Sequence, residues 1–115
     1  MSSDKYSNLT AEFPAERETV SRLSELVGTG KRRELPLDAL IVRLEPKSDI
    51  DLARILERLV FDGTIARVYR IENASYAPID EFPDYRGIPQ NIFDPHTGTD
   101  MVVTPRNVRV VFVLK

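Results

Sequence analysis

The spacing of apolar residues changes once, at Gly63, from the period of a helix to that of a strand. Before this glycine, one apolar stripe recurs every three or four residues and consists of Leu52, Ile55, Leu56, Leu59 and Val60. After the glycine, residues 64–71 are rich in β-branched and aromatic side chains, which favour a strand. Ser48 is a suitable N-cap for the helix, with Asp51 three residues further on. The sequence therefore predicts a helix that runs directly into a strand.

Two more helices are predicted upstream, and a strand is predicted at the C-terminal end. Apolar residues recur at helical spacing within residues 15–27, which are followed by a glycine-containing stop at 28–30. A second helix has Pro36 in its first turn and ends before Pro46. Residues 108–115 alternate with a period of two, which is typical of a strand. The predicted core consists of Leu52, Ile55, Leu56, Leu59, Val110 and Phe112.

The two predicted strands are separated by residues 73–107, here called the insertion. A structureless loop of this length is uncommon in a compact domain, so we predict a helical turn at 89–93 and a short strand at 101–103. The insertion contains five prolines and a set of large apolar residues: Tyr76, Phe82, Tyr85, Ile88, Ile92 and Phe93. Two interpretations stay open, because these side chains either form an exposed surface that binds a protein or fold back to extend the core.

Length and composition favour one small domain. A chain of 115 residues is long enough for one core, which we place in residues 15–115, with residues 1–14 as a flexible arm that lacks secondary structure. The absence of cysteine excludes disulfides, thiolate zinc sites and a cysteine nucleophile. No apolar run approaches the roughly 18 residues that suggest a membrane span, and the N-terminus does not resemble a signal peptide. We expect a cytoplasmic protein without a membrane partner.

The charge distribution disfavours nucleic acid as the partner. The formal net charge is −2, from 16 basic and 18 acidic residues, whereas nucleic-acid-binding domains are usually basic. Within the insertion, two basic residues oppose five acidic ones, a balance of −3. A phosphate backbone would repel such a segment.

The order of three helices followed by two strands resembles the winged helix-turn-helix superfamily. The junction of residues 59–65, where a glycine releases the third helix into a strand, is similar to the point at which that family's recognition helix enters its wing. The resemblance implies an α+β fold with a three-helix core, a small antiparallel sheet and the insertion as an enlarged wing. It implies architecture far more than activity. Family members that bind DNA use a short, often basic wing, which differs from the long acidic insertion.

No residue pattern indicates catalysis, a cofactor or a bound metal. His96, the one histidine, lies in a segment typical of a turn, in which Asp94 accepts hydrogen bonds from the backbone that follows it and Gly98 adopts a positive φ. One imidazole, without a second histidine or a cysteine, provides few of the ligands that a transition metal needs. We therefore expect a protein that is not an enzyme, with no cofactor and with a dispensable His96.

Two functional hypotheses remain. The first is a protein-protein interaction module, an adaptor or accessory subunit of a bacterial multiprotein assembly, that binds its partner through the insertion. The alternative is a winged-helix transcriptional regulator whose third helix contacts DNA. Basic residues that would serve the alternative are Lys31, Arg32, Arg33, Arg54 and Arg58. The first three lie in a linker between helices, where Glu34 offsets part of their charge. The other two lie on an exposed face of the third helix, where Asp51 and Asp62 can neutralise them. Oligomeric state is left open by the sequence.

Overall fold

The fold was analysed in a computed structural model that describes residues 3–30 and 33–115. Within these residues, the helices are α1 (Ser3–Glu12), α2 (Arg17–Thr29), α3 (Leu37–Leu44) and α4 (Asp49–Phe61). The strands are β1 (Glu34–Pro36), β2 (Ile65–Glu72), β3 (Pro78–Phe82), β4 (Asn91–Asp94), β5 (Thr99–Val102) and β6 (Val108–Leu114). Short 3-10 turns occupy Pro14–Glu16, Tyr85–Gly87 and Pro105–Asn107. The protein is therefore of mixed α and β structure.

Four of the strands form one antiparallel sheet in the order β1-β6-β2-β3, and β4 pairs only with β5. The centre of the sheet is the pair β2 and β6, whose register runs from Ile65 opposite Leu114 to Ile71 opposite Val108. The insertion leaves and re-enters the sheet at the Ile71 end of this pair. The predicted α+β fold, with a small antiparallel sheet and a long insertion between its two main strands, is confirmed.

The predicted third helix corresponds to α4. The side chain of Ser48 caps it by accepting a hydrogen bond from the backbone nitrogen of Asp51 at 3.3 Å, as expected. Gly63 follows the helix with a φ of 82°, a left-handed conformation that costs glycine little. The chain then enters β2 at Ile65. The direct passage from helix to strand is confirmed.

The two upstream helices are present with shifted boundaries. The 3-10 turn precedes α2, which ends at Thr29, and Gly30 closes it with a φ of 61°. Pro36 lies one position before α3, as the N-cap, and not within the first turn as predicted. It also ends β1, a strand that the sequence did not predict. β1 is held by β6, because Leu35 pairs with Phe112, and the same two side chains are buried in the core.

The prediction of an unstructured arm at residues 1–14 is wrong for the described residues of that segment. α1 occupies most of it, and Leu9 and Phe13 are buried in the main core. Lys5 also donates a hydrogen bond from Nζ to the hydroxyl of Thr64, one residue before β2, at 2.6 Å. Polar residues surround these few apolar ones in the sequence, so their burial depends on surfaces supplied by other elements.

The predicted core residues lie in the interior. Leu52, Ile55, Leu56, Leu59 and Phe112 are all buried, and Val110 is half-buried against them. The same cluster includes residues of α1, α2, α3, β1 and β2. Among the described side chains of this cluster, none comes from the insertion. The main core is therefore built without it.

A buried carboxylate positions the turn between α3 and α4. Glu16 is 1% exposed, and its two carboxylate oxygens accept hydrogen bonds from the backbone nitrogens of Lys47 and Ser48, each at 2.9 Å. Thr19 donates to the same group at 3.2 Å. These bonds join the start of α2 to the residues that precede α4, and so help to orient α4.

The insertion is folded, but not entirely as predicted. Residues 89–93 do not form the expected helical turn, because three of the five, residues 91–93, belong to β4. The 3-10 turn lies earlier, at Tyr85–Gly87. The strand expected at 101–103 is found as β5, two residues earlier at its start. β3, which was not predicted, adds a fourth strand to the main sheet beside β2.

Candidate protein-contact surface

The insertion is fastened to the end of β2 by a buried amide and a buried carboxylate. Oδ1 of Asn73 accepts hydrogen bonds from the backbone nitrogens of Ser75, at 2.9 Å, and of Ala77, at 3.0 Å. On its other side, Nδ2 of Asn73 donates to Oδ2 of Asp94 at 3.2 Å. Asn73 and Asp94 are both buried. One residue thus orders the first turn of the insertion and holds the β4–β5 hairpin to it.

Asp94 also organises the tip of the β4–β5 hairpin. Its side chain accepts a hydrogen bond from the backbone nitrogen of His96 at 2.9 Å, and its carbonyl accepts one from the nitrogen of Gly98 at 2.8 Å. Gly98 has a φ of 74°, so the turn predicted around His96 is confirmed. Burial opposes ionisation of Asp94, but the hydrogen bonds from His96, Asn73 and Thr97 outweigh it and hold the pKa of Asp94 below its ordinary value.

His96 itself serves as a further tie between the hairpin and the main sheet. Its Nε2 lies 3.3 Å from the carbonyl oxygen of Pro78, the first residue of β3. In the part of the chain that the structure describes, no group of three or more histidine, cysteine, aspartate or glutamate side chains is arranged to hold a metal ion.

Two contacts secure the rest of the insertion. The side chain of Asn107 donates a hydrogen bond to the carbonyl oxygen of Glu72 at 2.9 Å, which ties the end of the insertion to its beginning. The ring of Tyr85 meets the ring of Tyr69 edge to face, with their centres 5.5 Å apart. The pairing of β3 with β2, the polar contacts and one aromatic pair together hold the insertion against the main sheet.

The six apolar residues predicted as a binding surface divide into two groups. Phe82, Ile88 and Ile92 are half-buried. Tyr76, Tyr85 and Phe93 remain more than half exposed, and Tyr76 is 80% exposed. Half of the set is therefore exposed, and the other half is partly covered without joining the main core.

Tyr76 is held in an unfavourable backbone conformation. Its φ is 63°, in the left-handed region that residues with large side chains seldom adopt. The turn is closed by hydrogen bonds from Tyr76 nitrogen to the Asn73 carbonyl oxygen, 2.9 Å, and from Asn73 nitrogen to the Ala77 carbonyl oxygen, 3.0 Å. The Tyr76 ring is 80% exposed, so burial of the ring does little to offset this backbone strain. Asparagine or glycine would fit this position with less strain.

The sequence analysis missed one member of this surface, Val102. It is 67% exposed and lies diagonally across the β4–β5 hairpin from Phe93, because Phe93 pairs with Asp100 and Val102 pairs with Asn91. Ile92 and Met101 point to the other, half-buried face. Residues 99–102 do not alternate between polar and apolar side chains, so the sequence pattern gave no signal for the outward position of Val102.

An open cavity lies beside the exposed ring of Tyr85. It has a volume of about 130 Å³, and its lining includes Tyr85, Ile88, Pro89, Pro105 and Val108. Two of these residues are prolines, which restrict the local backbone. The cavity is a small recess beside Tyr85, and Gln90 and Thr104 add polar groups to its lining.

The basic residues of the alternative hypothesis are dispersed. Lys31 and Arg32 lie outside the described residues. Arg33 is exposed at the sheet edge, where its guanidinium lies 3.5 Å from the carbonyl oxygen of Leu114. Arg54 is exposed on α4, and Arg58 forms an ion pair with Glu12 of α1.

The ion pairs expected within α4 are not those observed. Arg58 was expected to neutralise Asp62, but the carboxylate of Asp62 instead accepts a hydrogen bond from the backbone nitrogen of Thr64 at 2.9 Å. Arg58 reaches α1, an element whose presence the sequence did not predict. The expected pair of Asp51 with Arg54 is likewise absent among the described side chains.

The arginines of the sheet are also engaged by carboxylates. Arg70 is the most buried of them and contacts both Glu34, at 2.8 Å, and Glu81, at 2.7 Å. The other pairs are Arg67 with Glu57, and Arg109 with Asp38 and Glu72. These contacts neutralise much of the positive charge of the sheet.

No helix in the described portion of the chain is long and apolar enough to cross a membrane. Comparisons of the chain with protein-family models, with curated proteins and with solved structures found no significant match.

Proposed function

We propose that the protein is a non-enzymatic interaction module of the winged-helix type, which binds a protein partner through the insertion. The chain order supports the winged-helix assignment, because α2, β1, α3, α4, β2 and β6 follow one another as helix, strand, two helices and two strands. The sheet order β1-β6-β2 accords with that assignment. The proposed role is that of an adaptor or accessory subunit in a bacterial cytoplasmic assembly.

The observation that carries the proposal is the exposure of Tyr76, Phe93 and Val102 on a segment held by buried hydrogen bonds. A buried network around Asn73 and Asp94 fixes the backbone that carries these residues. Apolar side chains on an ordered segment lose little conformational entropy on binding, which favours affinity. A role in the main core does not account for these residues, because the core cluster contains none of them.

Charge supports a protein partner over DNA. Asp100 is exposed opposite Phe93, and Asp80 and Asp84 are exposed elsewhere on the insertion. A DNA backbone near these carboxylates would be repelled, whereas a protein can place basic side chains around an apolar centre. Pairing of Arg58 with Glu12 further reduces the positive charge available from α4.

The proposal is tested by recovering partners of the tagged protein from its source cells after nuclease treatment. The variant carries Tyr76→Asn, Phe93→Thr and Val102→Thr, which remove the exposed apolar groups and suit the local backbone at each position. The matched control is Val42→Thr, because Val42 is 74% exposed on α3, outside the insertion. We expect the partner to be recovered with the natural chain and the control and to be lost with the triple variant.

Equal recovery with the triple variant would overturn this proposal. Tight, salt-sensitive binding of duplex DNA that disappears with Arg54→Ala and Arg58→Ala would favour the regulator instead. Melting temperatures of all variants are measured alongside, and we expect them to stay close to that of the natural chain because the changed side chains are exposed.

A further inference from the structure

A second exposed surface lies on α4, on the side of the helix opposite the core. Leu52, Ile55, Leu56 and Leu59 face the interior and are all buried. On the opposite side, an outward stripe consists of Ile50, Arg54, Glu57 and Phe61, all of them exposed. Ile50 is 67% exposed and Phe61 is 93% exposed. Large apolar side chains thus stand at both ends of the most accessible line of the helix.

The stripe of one copy is complementary to the stripe of a second copy that runs in the opposite direction. Ile50 and Phe61 are eleven positions apart, which places them within about 20° of one another around the helix and about 16 Å apart along it. Between them lie one cation, Arg54, and one anion, Glu57. If a second α4 lies antiparallel across the first, Ile50 faces Phe61 of the other copy, and Arg54 faces Glu57.

We propose that two copies of this chain associate through their α4 helices, which lie antiparallel about a two-fold axis. The axis crosses the helix pair at the level midway between residues 55 and 56. The contact of Ile50 with Phe61 and the ion pair of Arg54 with Glu57 then each occur twice, as a two-fold interface requires. Glu57 also contacts Arg67 of its own chain, and a carboxylate has enough acceptor sites for both guanidinium groups.

The charge pattern distinguishes a second copy from other occupants of this surface. The charges of Arg54 and Glu57 cancel, so the stripe offers no net attraction to the phosphate backbone of DNA, which would also leave Phe61 without an apolar contact. An unrelated protein does not require that the apolar and charged residues repeat in reverse order along one helix. A single helix stripe is a small interface, so the association is weak and depends on concentration.

The first measurement is sedimentation equilibrium of the complete chain from about 10 μM to about 1 mM, the range in which a small interface associates. We expect the mean mass to rise from one chain to two. Phe61→Ser and Ile50→Ser should each weaken association by about tenfold or more, because each removes two of the four apolar side chains in the interface. Val42→Ser, at a residue of α3 that is 74% exposed and lies outside both proposed surfaces, is the matched control and should associate normally.

A charge exchange gives the sharper test. Arg54→Glu alone places glutamates opposite one another, and Glu57→Arg alone does the same with arginines, so each variant should remain monomeric. Mixing the two variants restores both opposite-charge pairs, and we expect a heterodimer of one copy of each. The double variant R54E/E57R should again form homodimers, because its charges are complementary once more.

Each possible outcome bears on the proposal. A chain that stays monomeric up to about 1 mM, or a dimer that survives both Phe61→Ser and Ile50→Ser, would overturn it. Failure of the mixed single variants to associate would exclude the antiparallel register, provided that their thermal unfolding shows both to be folded. Should Glu57→Arg fail to fold because of the nearby Arg67, the serine variants still decide the question.

Discussion

Glu16 helps to position α4 through hydrogen bonds to the turn before it. Its carboxylate accepts hydrogen bonds from two backbone nitrogens in the turn before α4, in a setting that water does not reach. If Glu16 were removed, these two backbone N–H groups would stay out of contact with water but would have no hydrogen-bond acceptor, which is energetically costly. A glutamate in a sequence gives no indication of this role, because acidic residues are usually exposed.

Replacing Glu16 with alanine should therefore lower the free energy of unfolding by about 1 to 3 kcal/mol. Denaturant unfolding monitored by circular dichroism measures the change. Glu18→Ala is the control, because the side chain of Glu18 is 85% exposed and its ion pair with Arg22 contributes little. An equal loss of stability in both variants would contradict the assigned role of Glu16.

Acid should loosen the β4–β5 hairpin before it unfolds the main core. The pKa of Asp94 is lower in the folded chain than its ordinary value, because the hydrogen bonds at this carboxylate outweigh the effect of its burial. The resulting stabilisation is complete above the ordinary aspartate pKa of about 3.9 and is lost as pH falls through the folded pKa. Amide hydrogen exchange at residues 99–101 should accelerate in that acid range.

Asp94→Asn is the comparison for this pH effect. Asparagine does not ionise here, so exchange in the hairpin should be faster at neutral pH and should lack the acid transition seen in the natural chain. Hairpin exchange with the same pH dependence in both chains would show that another group is responsible.

Among the elements, α4 is both the centre of the core and the best-defined segment of the sequence. Leu56 and Leu59 are buried on one side, while Phe61 is exposed on the other. Leu56→Ala or Leu59→Ala should lower the free energy of unfolding by about 2 to 5 kcal/mol, from lost burial and the cavity that remains. Phe61→Ala should leave it nearly unchanged, although it removes a larger side chain. Thermal unfolding of the three variants tests this contrast.

The role of α1 is testable in the same way. Leu9 is buried in the main core, so Leu9→Ala should lower the free energy of unfolding by about 2 to 5 kcal/mol. Asn8→Ala, at an exposed neighbour on the same helix, should have little effect. If both variants melt like the natural chain, α1 does not contribute to the core, and the segment behaves as the arm expected from the sequence.

Across the whole molecule, the insertion and the main core are separate in their packing. Replacing residues 72–107 with a two-residue Asn-Gly turn would keep Ile71 opposite Val108. We expect this shortened chain to fold cooperatively and to lose about 1 to 3 kcal/mol, since Ile71 is fully buried in the natural chain and would become accessible. Calorimetry measures this loss. A shortened chain that does not fold would show that the insertion completes the core.

Local signals account for the parts of this fold that the sequence predicts correctly. Ser48 caps α4 through a residue three positions away, and Asp94 holds the turn at His96 and Gly98 within four residues. In both cases the stabilising partner is close in the chain, so the residue pattern contains both members of the interaction. The alternation of β6 is equally local.

Contacts between distant residues decide the remaining features. β1 has only three residues and exists through its pairing with β6, more than 70 positions away. α1 is predominantly polar and becomes part of the fold because Leu9 and Phe13 reach a core assembled by other elements. The half-burial of Ile88 and the exposure of Tyr76 likewise depend on how the insertion is tied at Asn73 and Asp94. The free energy of such a contact depends on both of the surfaces that meet, so the residue pattern of one segment does not predict the contact.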